Sequence, residues 1–188
     1  MNFRLKFLLP LVTLLVLGLG HAFAQPAAER RGPDVIYVPT PYEVVDAMLK
    51  LARVGKGDVL YDLGSGDGRI PVTAAKRFGI RAVGIDIDPQ RIAEANENAK
   101  KNKVTNLVQF RNEDMFLTDI HDASVVTLYL LPDLNVKLRK RLLAELKPGT
   151  RIVSHQFDMG NWKPERKLEL NGRTIYLWTI PERKAAPK

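Results

Sequence analysis

The chain contains no cysteine among its 188 residues, which excludes disulfides and zinc–thiolate sites. Histidine is almost as scarce: His21, His121 and His155 share no paired ligand spacing, so no metal site is expected. Aromatic residues make up only 7%, and none is interleaved with the basic cluster Lys137, Arg139, Lys140 and Arg141, which sits between Leu134, Leu138, Leu142 and Leu143. The alternation of base-stacking rings and cations that marks a single-strand nucleic-acid groove is therefore missing. Internal repeats are absent, and biased composition is confined to a short tail at 183–188. Long apolar runs are lacking as well, with one exception at the N-terminus.

That exception runs from Phe7 to about Gly20, follows Arg4 and Lys6, and leads into Ala22-Phe23-Ala24 before Gln25. Basic flank, apolar stretch and small-residue cleavage site read as a secretory signal peptide over 1–24, giving an exported, periplasmic domain. The alternative is an uncleaved anchor through residues 7–20, although this is shorter than the roughly 20 residues that span a bilayer. In both readings the positive flank places the rest of the chain away from the cytoplasm. A polar linker (25–36), one folded domain (37–182) and the tail (183–188) follow. Loss of Arg4 and Lys6 would lower the formal charge from +8 to +6, so the domain stays basic. Nucleic acid or an anionic membrane surface would suit that charge, and so would simple solubility.

What the chain does have is a glycine-rich turn in a telling place. Val59-Leu60-Tyr61-Asp62-Leu63 reads as a buried strand, Gly64, Gly66 and Gly68 alternate after it, and Ile70 to Phe78 reads as a helix stopped by Gly79. Glycines let the backbone touch a ligand, and the helix start offers unpaired N–H groups, so a nucleotide-like cofactor is expected. A dinucleotide fingerprint counted from Gly64 needs glycine at position 69, which is Arg69. A phosphate-binding loop needs Gly-Lys-Ser or Gly-Lys-Thr, and this turn has no lysine. Val83-Gly84-Ile85-Asp86 then forms a second strand whose terminal carboxylate is placed to accept from two ribose hydroxyls, with Ile87 beside it. Asp88 and Pro89 start the next helix as N-cap and first residue. A third strand over Val108-Gln109-Phe110-Arg111 delivers Asp114 and Met115 to the same edge; Asp114 has the alternative role of capping the segment that follows.

Thr40-Pro41-Tyr42-Glu43 predicts a capped helix start, with Thr40 as cap, Glu43 closing a capping box, and Val44, Val45, Met48 and Leu49 packing inward as far as about Arg53. Strands near Leu60, Val83, Val108, Val126 and Ile152 alternate with helical stretches. This predicts an α/β fold, a doubly wound, mostly parallel sheet with its ligand at the strands' C-terminal edge. The pair Asn171-Gly172 between Lys167–Leu170 and Thr174–Trp178 predicts a C-terminal antiparallel hairpin. The stretch from His155 to Lys163 is too short for a full helix.

Asp62-x-Gly64-x-Gly66-x-Gly68, followed in order by Asp86 and Asp114, resembles motif I and its downstream partners in class I S-adenosylmethionine-dependent methyltransferases. The resemblance implies a seven-stranded Rossmann-like sheet and S-adenosyl-L-methionine as cofactor, held by Asp62, Gly64, Ser65, Gly66, Asp86 and Ile87, with Asp114 on the adenine amino group and Met115 over the ring. Tyr37-Val38-Pro39-Thr40, the motif I segment, Leu130-Leu131-Pro132 and Gly149 to Phe157 are similar to the small lysine methyltransferases related to the mitochondrial ATP synthase c-subunit enzyme. This narrower likeness covers about Tyr37 to Trp162. It implies that Tyr37 and Thr40 close over the methionine end and that Leu130, Leu131 and Pro132 line the acceptor channel. Base-methylating enzymes carry an Asn-Pro-Pro-Tyr or Asp-Pro-Pro-Tyr box where this chain has Tyr129-Leu130-Leu131-Pro132, which counts against nucleobase amines. A protein lysine is the favoured acceptor, on a substrate that is itself a candidate for membrane association. RNA, a small molecule, or adenosine-ligand binding without catalysis are the alternatives. His155 has two readings, a catalytic base for the amine or a strand-end histidine satisfied in the core.

Overall fold

The computed structural model describes residues 37–183. The signal or anchor (1–24), the linker (25–36) and all but the first residue of the tail lie outside the described residues. Among the described residues no helix is long and apolar enough to cross a membrane.

The elements follow in the order α1 (Tyr42–Leu51), β1 (Val59–Leu63), α2 (Arg69–Phe78), β2 (Arg81–Asp86), α3 (Pro89–Asn102), β3 (Val108–Asn112), β4 (Val125–Leu128), α4 (Pro132–Glu145), β5 (Arg151–His155), β6 (Arg166–Leu170) and β7 (Arg173–Thr179). The seven strands form one sheet in the order β3-β2-β1-β4-β5-β7-β6. Strands β1 to β5 pair in parallel, and β7 runs antiparallel between β5 and β6. The direction of strand addition reverses between β1 and β4, and that switch point opens the ligand crevice of a doubly wound sheet.

Both faces of the sheet are covered, which explains why β1 and β4 are almost wholly apolar rather than alternating. On one face Val44, Val45, Met48 and Leu49 of α1 join Ile70 and Ala74 of α2 over Val153 and Ile175. On the other, Leu138 and Leu142 of α4 pack on Leu63, Ile85, Val126, Leu128 and Trp178. Each such side chain, fully withdrawn from water, stabilises the fold by about 1.5–3 kcal/mol. The Trp178 indole N–H is satisfied at 2.8 Å by the Trp162 carbonyl.

Helix ends follow local chemistry. Gly79 closes α2 in the left-handed region at φ 65°, and the Asp88 carboxylate caps α3 by accepting from Gln90 N–H, with Pro89 opening the helix. The start of α1 differs from the capping-box expectation. Pro41 occupies the N-cap position without any side-chain cap, and the helix stops at Leu51 rather than near Arg53. Thr40 is engaged elsewhere: its hydroxyl meets His155 Nδ1 at 3.2 Å and its carbonyl accepts from Arg69 at 2.9 Å.

As the spacing predicts, no helix joins β5 to β6. Side chains of α4 satisfy that connection instead. The buried Asn135 amide donates to Ser154 Oγ and to the carbonyls of Phe157 and Asp158, all at 3.2 Å, and Arg139 donates to the Met159 carbonyl at 2.7 Å. The hairpin turns through Asn171 (φ 49°) and Gly172 (φ 73°), the two positive values a tight turn requires. Replacing Asn171 by Ala is expected to cost about 1 kcal/mol, because alanine resists the left-handed region more than asparagine does; a melting curve of the full chain checks this, and an unchanged midpoint contradicts it.

Candidate active site

The crevice is built where β1 gives way to the glycine turn. Gly64 N–H and Ser65 N–H both donate to the Ile85 carbonyl, at 2.8 and 2.9 Å, folding the turn back on β2. The Asp86 carboxylate then fixes it: Oδ2 accepts from Gly66 N–H at 2.8 Å and Oδ1 from Asp88 N–H at 2.9 Å. Each oxygen keeps a further lone pair for a ligand hydroxyl. Gly66, at φ 52°, needs to be glycine twice over, since a Cβ there would stand 2.3 Å from the Tyr37 ring.

A cavity of about 510 Å³ opens above these strand ends. Tyr37, Thr40, Asp62, Gly64, Ser65, Asp86, Ile87, Asp114, Met115 and Leu130 all stand in its wall. Gly66 does not line it, and acts through its N–H on Asp86. Leu131 and Pro132 are exposed outside the wall, so of the expected acceptor channel only Leu130 faces the cavity. His155 is also outside it, 1% exposed, behind Thr40 and Tyr129. Burial, and then the charge of Arg173, push its imidazole down to about 4. It is therefore neutral near pH 7 and ill-suited to take a proton from an ammonium group. Asp114 combines both of its expected placements, lining the cavity while Oδ1 accepts from Phe116 N–H at 2.8 Å.

Sequence reading missed Asp67, Arg69, Arg91, Glu113 and Tyr129, which also line the cavity. Two of these, Asp67 and Arg69, stand at the glycine turn, where opposite charges two residues apart ordinarily make a solvated ion pair. In fact Arg69 grips Asp67 with Nε at 2.9 Å and Nη2 at 2.6 Å, donates to the Thr40 carbonyl, and lies 5.2 Å from the Tyr42 ring centroid. Although burial opposes it, Arg69 holds the Asp67 carboxyl below its ordinary range. The Tyr37 phenol is raised by burial and by the Asp67 charge, and its ring lies under the Arg91 guanidinium at 4.8 Å. Residues 37–42 are thus strapped down by two guanidiniums, Arg69 of the turn at Thr40 and Tyr42 and Arg91 of α3 at Tyr37. Arg69→Met is expected to weaken cofactor binding about tenfold, as the loss of one charge-assisted network would; calorimetry checks it, and unchanged affinity would contradict the role of the strap.

The wall carries six carboxyl groups (Asp62, Asp67, Asp86, Asp88, Glu113, Asp114) against two guanidiniums (Arg69, Arg91), in a chain of net charge +8. Such a lining repels polyphosphates and favours a ligand that carries positive charge. Asp62 is the most buried of these acids, 2% exposed, and burial raises it to about 8, helped by Asp86 and Asp67 and opposed by the Thr127 hydroxyl at 2.7 Å. The ordinary value is 3.8, so between pH 4 and 8 the folded chain keeps a proton that the unfolded chain releases. Stability contributed by this group is complete below pH 4, declines as pH rises and levels off above about pH 8. Asp62→Asn should abolish that slope, and urea unfolding at acidic and alkaline pH checks it.

S-adenosylmethionine matches this lining: its sulfonium and ammonium suit the acidic wall, the ribose suits the outward lone pairs of Asp86, and the Ser65 hydroxyl is buried at the cavity without a partner among the described residues. The residues fit.

A doubly wound sheet with this turn, these strand-end carboxylates and this acid-lined crevice defines a Rossmann-like methyltransferase. Comparison with known proteins agrees. Residues 62–166 match the ANTKMT methyltransferase domain family. A protein-lysine N-methyltransferase of Saccharolobus islandicus is 46% identical over 157 residues, covering 81% of this chain and 98% of the relative. The adenine nucleotide translocase lysine N-methyltransferase of Mus musculus is 34% identical over 132 residues, 70% of this chain and 57% of that protein. The Homo sapiens lysine N-methyltransferase of the ATP synthase c-subunit is 30% identical over 129 residues, 69% and 54% respectively, so the chain spans just over half the length of these two animal relatives. A Salinibacter ruber crystal structure described as an RNA methyltransferase in complex with S-adenosyl-L-homocysteine is 57% identical, with a TM-score of 0.77 over 80% of this chain and 98% of that one. The chain belongs to the ANTKMT methyltransferase domain family; it is a methyltransferase, and S-adenosylmethionine is its cofactor.

Proposed function

We propose that this enzyme methylates the Nζ amine of a lysine in a protein substrate. The observation that carries the acceptor is the 46% identity to a protein-lysine N-methyltransferase, over almost that relative's entire length. On this reading Asp114 and Met115 hold the adenine, Asp86 the ribose hydroxyls, and Ser65, Asp62, Tyr37 and Thr40 the methionine end. When bound, S-adenosylmethionine would supply an electrophilic methyl for the amine lone pair, the carbon–sulfur electrons being left on sulfur and the amine's proton lost to water. The chain's own contribution is to bind, orient and exclude water. Leu130 and Leu134 give the cavity an apolar side. A lysine entering it is desolvated there, which favours the neutral amine that reacts.

The apolar stretch 7–20 behind Arg4 and Lys6 supports export or membrane anchoring, and with it a membrane-associated substrate. Fractionation of cells expressing the full chain tests this; recovery in the cytosolic fraction would overturn it.

RNA is the second reading, favoured by the description of the Salinibacter ruber relative and by the basic charge. Incubation of the full chain with labelled S-adenosylmethionine and a cell extract separates the two. Lysine methylation predicts label that survives ribonuclease and is released by protease; the opposite sensitivity would establish RNA.

A further inference from the structure

Along the sheet edge the cavity-lining residues come in a fixed order: Asp114 after β3, Asp86 ending β2, Asp62 and Gly64 at the end of β1, then Tyr129 just beyond β4. On the cofactor assignment above, adenine, ribose and methionine occupy the first three positions. Tyr129, at the fourth position, is then next to the residues assigned to the methionine end. Tyr129 supplies the aromatic ring of the cavity at that end, and it stands where base-methylating enzymes carry the polar residue of their box.

The ring of Tyr129 is held from behind. His155 packs on it with centroids 4.0 Å apart, and Phe157 stacks beyond at 6.4 Å. His155 is in turn fixed by Thr40 Oγ1 at its Nδ1, and Thr40 is another cavity residue. Tyr129 itself lines the cavity, and its hydroxyl has no hydrogen-bond partner among the described residues. A buried imidazole spent on orienting two wall residues explains why His155 lies outside the wall it supports.

We infer that the Tyr129 hydroxyl oxygen accepts an N–H hydrogen bond from the acceptor amine, turning the nitrogen lone pair toward the methyl, and that His155 is the positioning residue behind Tyr129 and Thr40. The inference rests on the lysine reading above. It makes a chemical distinction that a structural role does not. A neutral lysine amine has two N–H bonds and its monomethyl form one, whereas the dimethyl form has none to donate.

The test uses the full chain, wild type and Tyr129→Phe, with peptides carrying an unmethylated, monomethylated or dimethylated lysine, together with calorimetric affinity for S-adenosylhomocysteine. The phenylalanine variant should bind S-adenosylhomocysteine within about twofold of wild type, since it removes no cofactor contact. It should lose about tenfold in kcat/KM on the unmethylated and monomethylated peptides, the worth of one oriented hydrogen bond. On the dimethylated peptide the two proteins should agree within about twofold. His155→Asn should show the same pattern in weaker form. Equal losses on all three peptides, or no loss on any, would overturn the role of the hydroxyl while leaving lysine methylation standing. Wild-type transfer to RNA, with none to any peptide, would overturn both.

Discussion

Asp86→Ala should lower affinity for S-adenosylmethionine by at least about 100-fold while the sheet stays folded, because one carboxylate serves two ends of the same contact. Inward, its oxygens hold Gly66 N–H and Asp88 N–H at 2.8 and 2.9 Å. Outward, on the proposed cofactor assignment, their remaining lone pairs would accept from the ribose hydroxyls, and charge-assisted hydrogen bonds are the strong kind. Alanine removes both sets, so the turn loses its clamp and the ligand its acceptor. The β2 backbone is unaffected, since it pairs with β1 and β3 through main-chain bonds. Asp86→Asn should fall between, keeping one acceptor oxygen but presenting a second amide hydrogen where a backbone N–H already points. Calorimetry with a melting curve for each variant separates lost binding from lost folding. Affinity within tenfold of wild type in a folded Asp86→Ala would refute the assignment.

Gly68→Ala should be the most damaging of the glycine substitutions for stability. Gly68 sits at φ 72°, and a Cβ there would approach Phe110 Cζ to 2.4 Å and Ala95 Cβ to 2.8 Å. The half-buried Phe110 ring could shift, but Ala95 is wholly buried on α3 and its Cβ cannot, so the collision between the start of α2 and α3 remains. Strain and overpacking together predict a loss of about 2–4 kcal/mol. Gly79→Ala is the internal control: it has φ 65° but nothing within 4 Å of a Cβ, so only the conformational cost of about 1 kcal/mol applies. Urea unfolding of both variants measures the difference. Equal losses would mean that close packing of the turn against α3 and β3 is unimportant.

The parts of this molecule that were legible in its sequence depend on short-range rules. The buried strand that carries Asp62, the one that ends in Asp86, the Asp88-Pro89 helix start and the Asn171-Gly172 turn each follow from a few adjacent residues. What was not legible depends on long-range partners. Thr40 looks like a helix cap because serine and threonine there usually cap; its hydroxyl is taken by His155, 115 positions away. Arg69 looks like half of a surface pair until the strap 37–42 is seen lying on it. Leu131 and Pro132 neighbour Leu130 in sequence, but the start of α4 turns them outward while Leu130 tucks in at 4% exposed. His155 ends a strand and can read as a base for the amine, but its packing puts Tyr129 and Thr40 between it and the cavity.

The most direct measurement of the central claim is amino-acid analysis of the acceptor after reaction of the full chain with methyl-labelled S-adenosylmethionine. After total hydrolysis, label should co-elute with methylated lysine, and Asp86→Ala should yield none. Label in a nucleoside, in another amino acid, or equal labelling by the variant would contradict that claim.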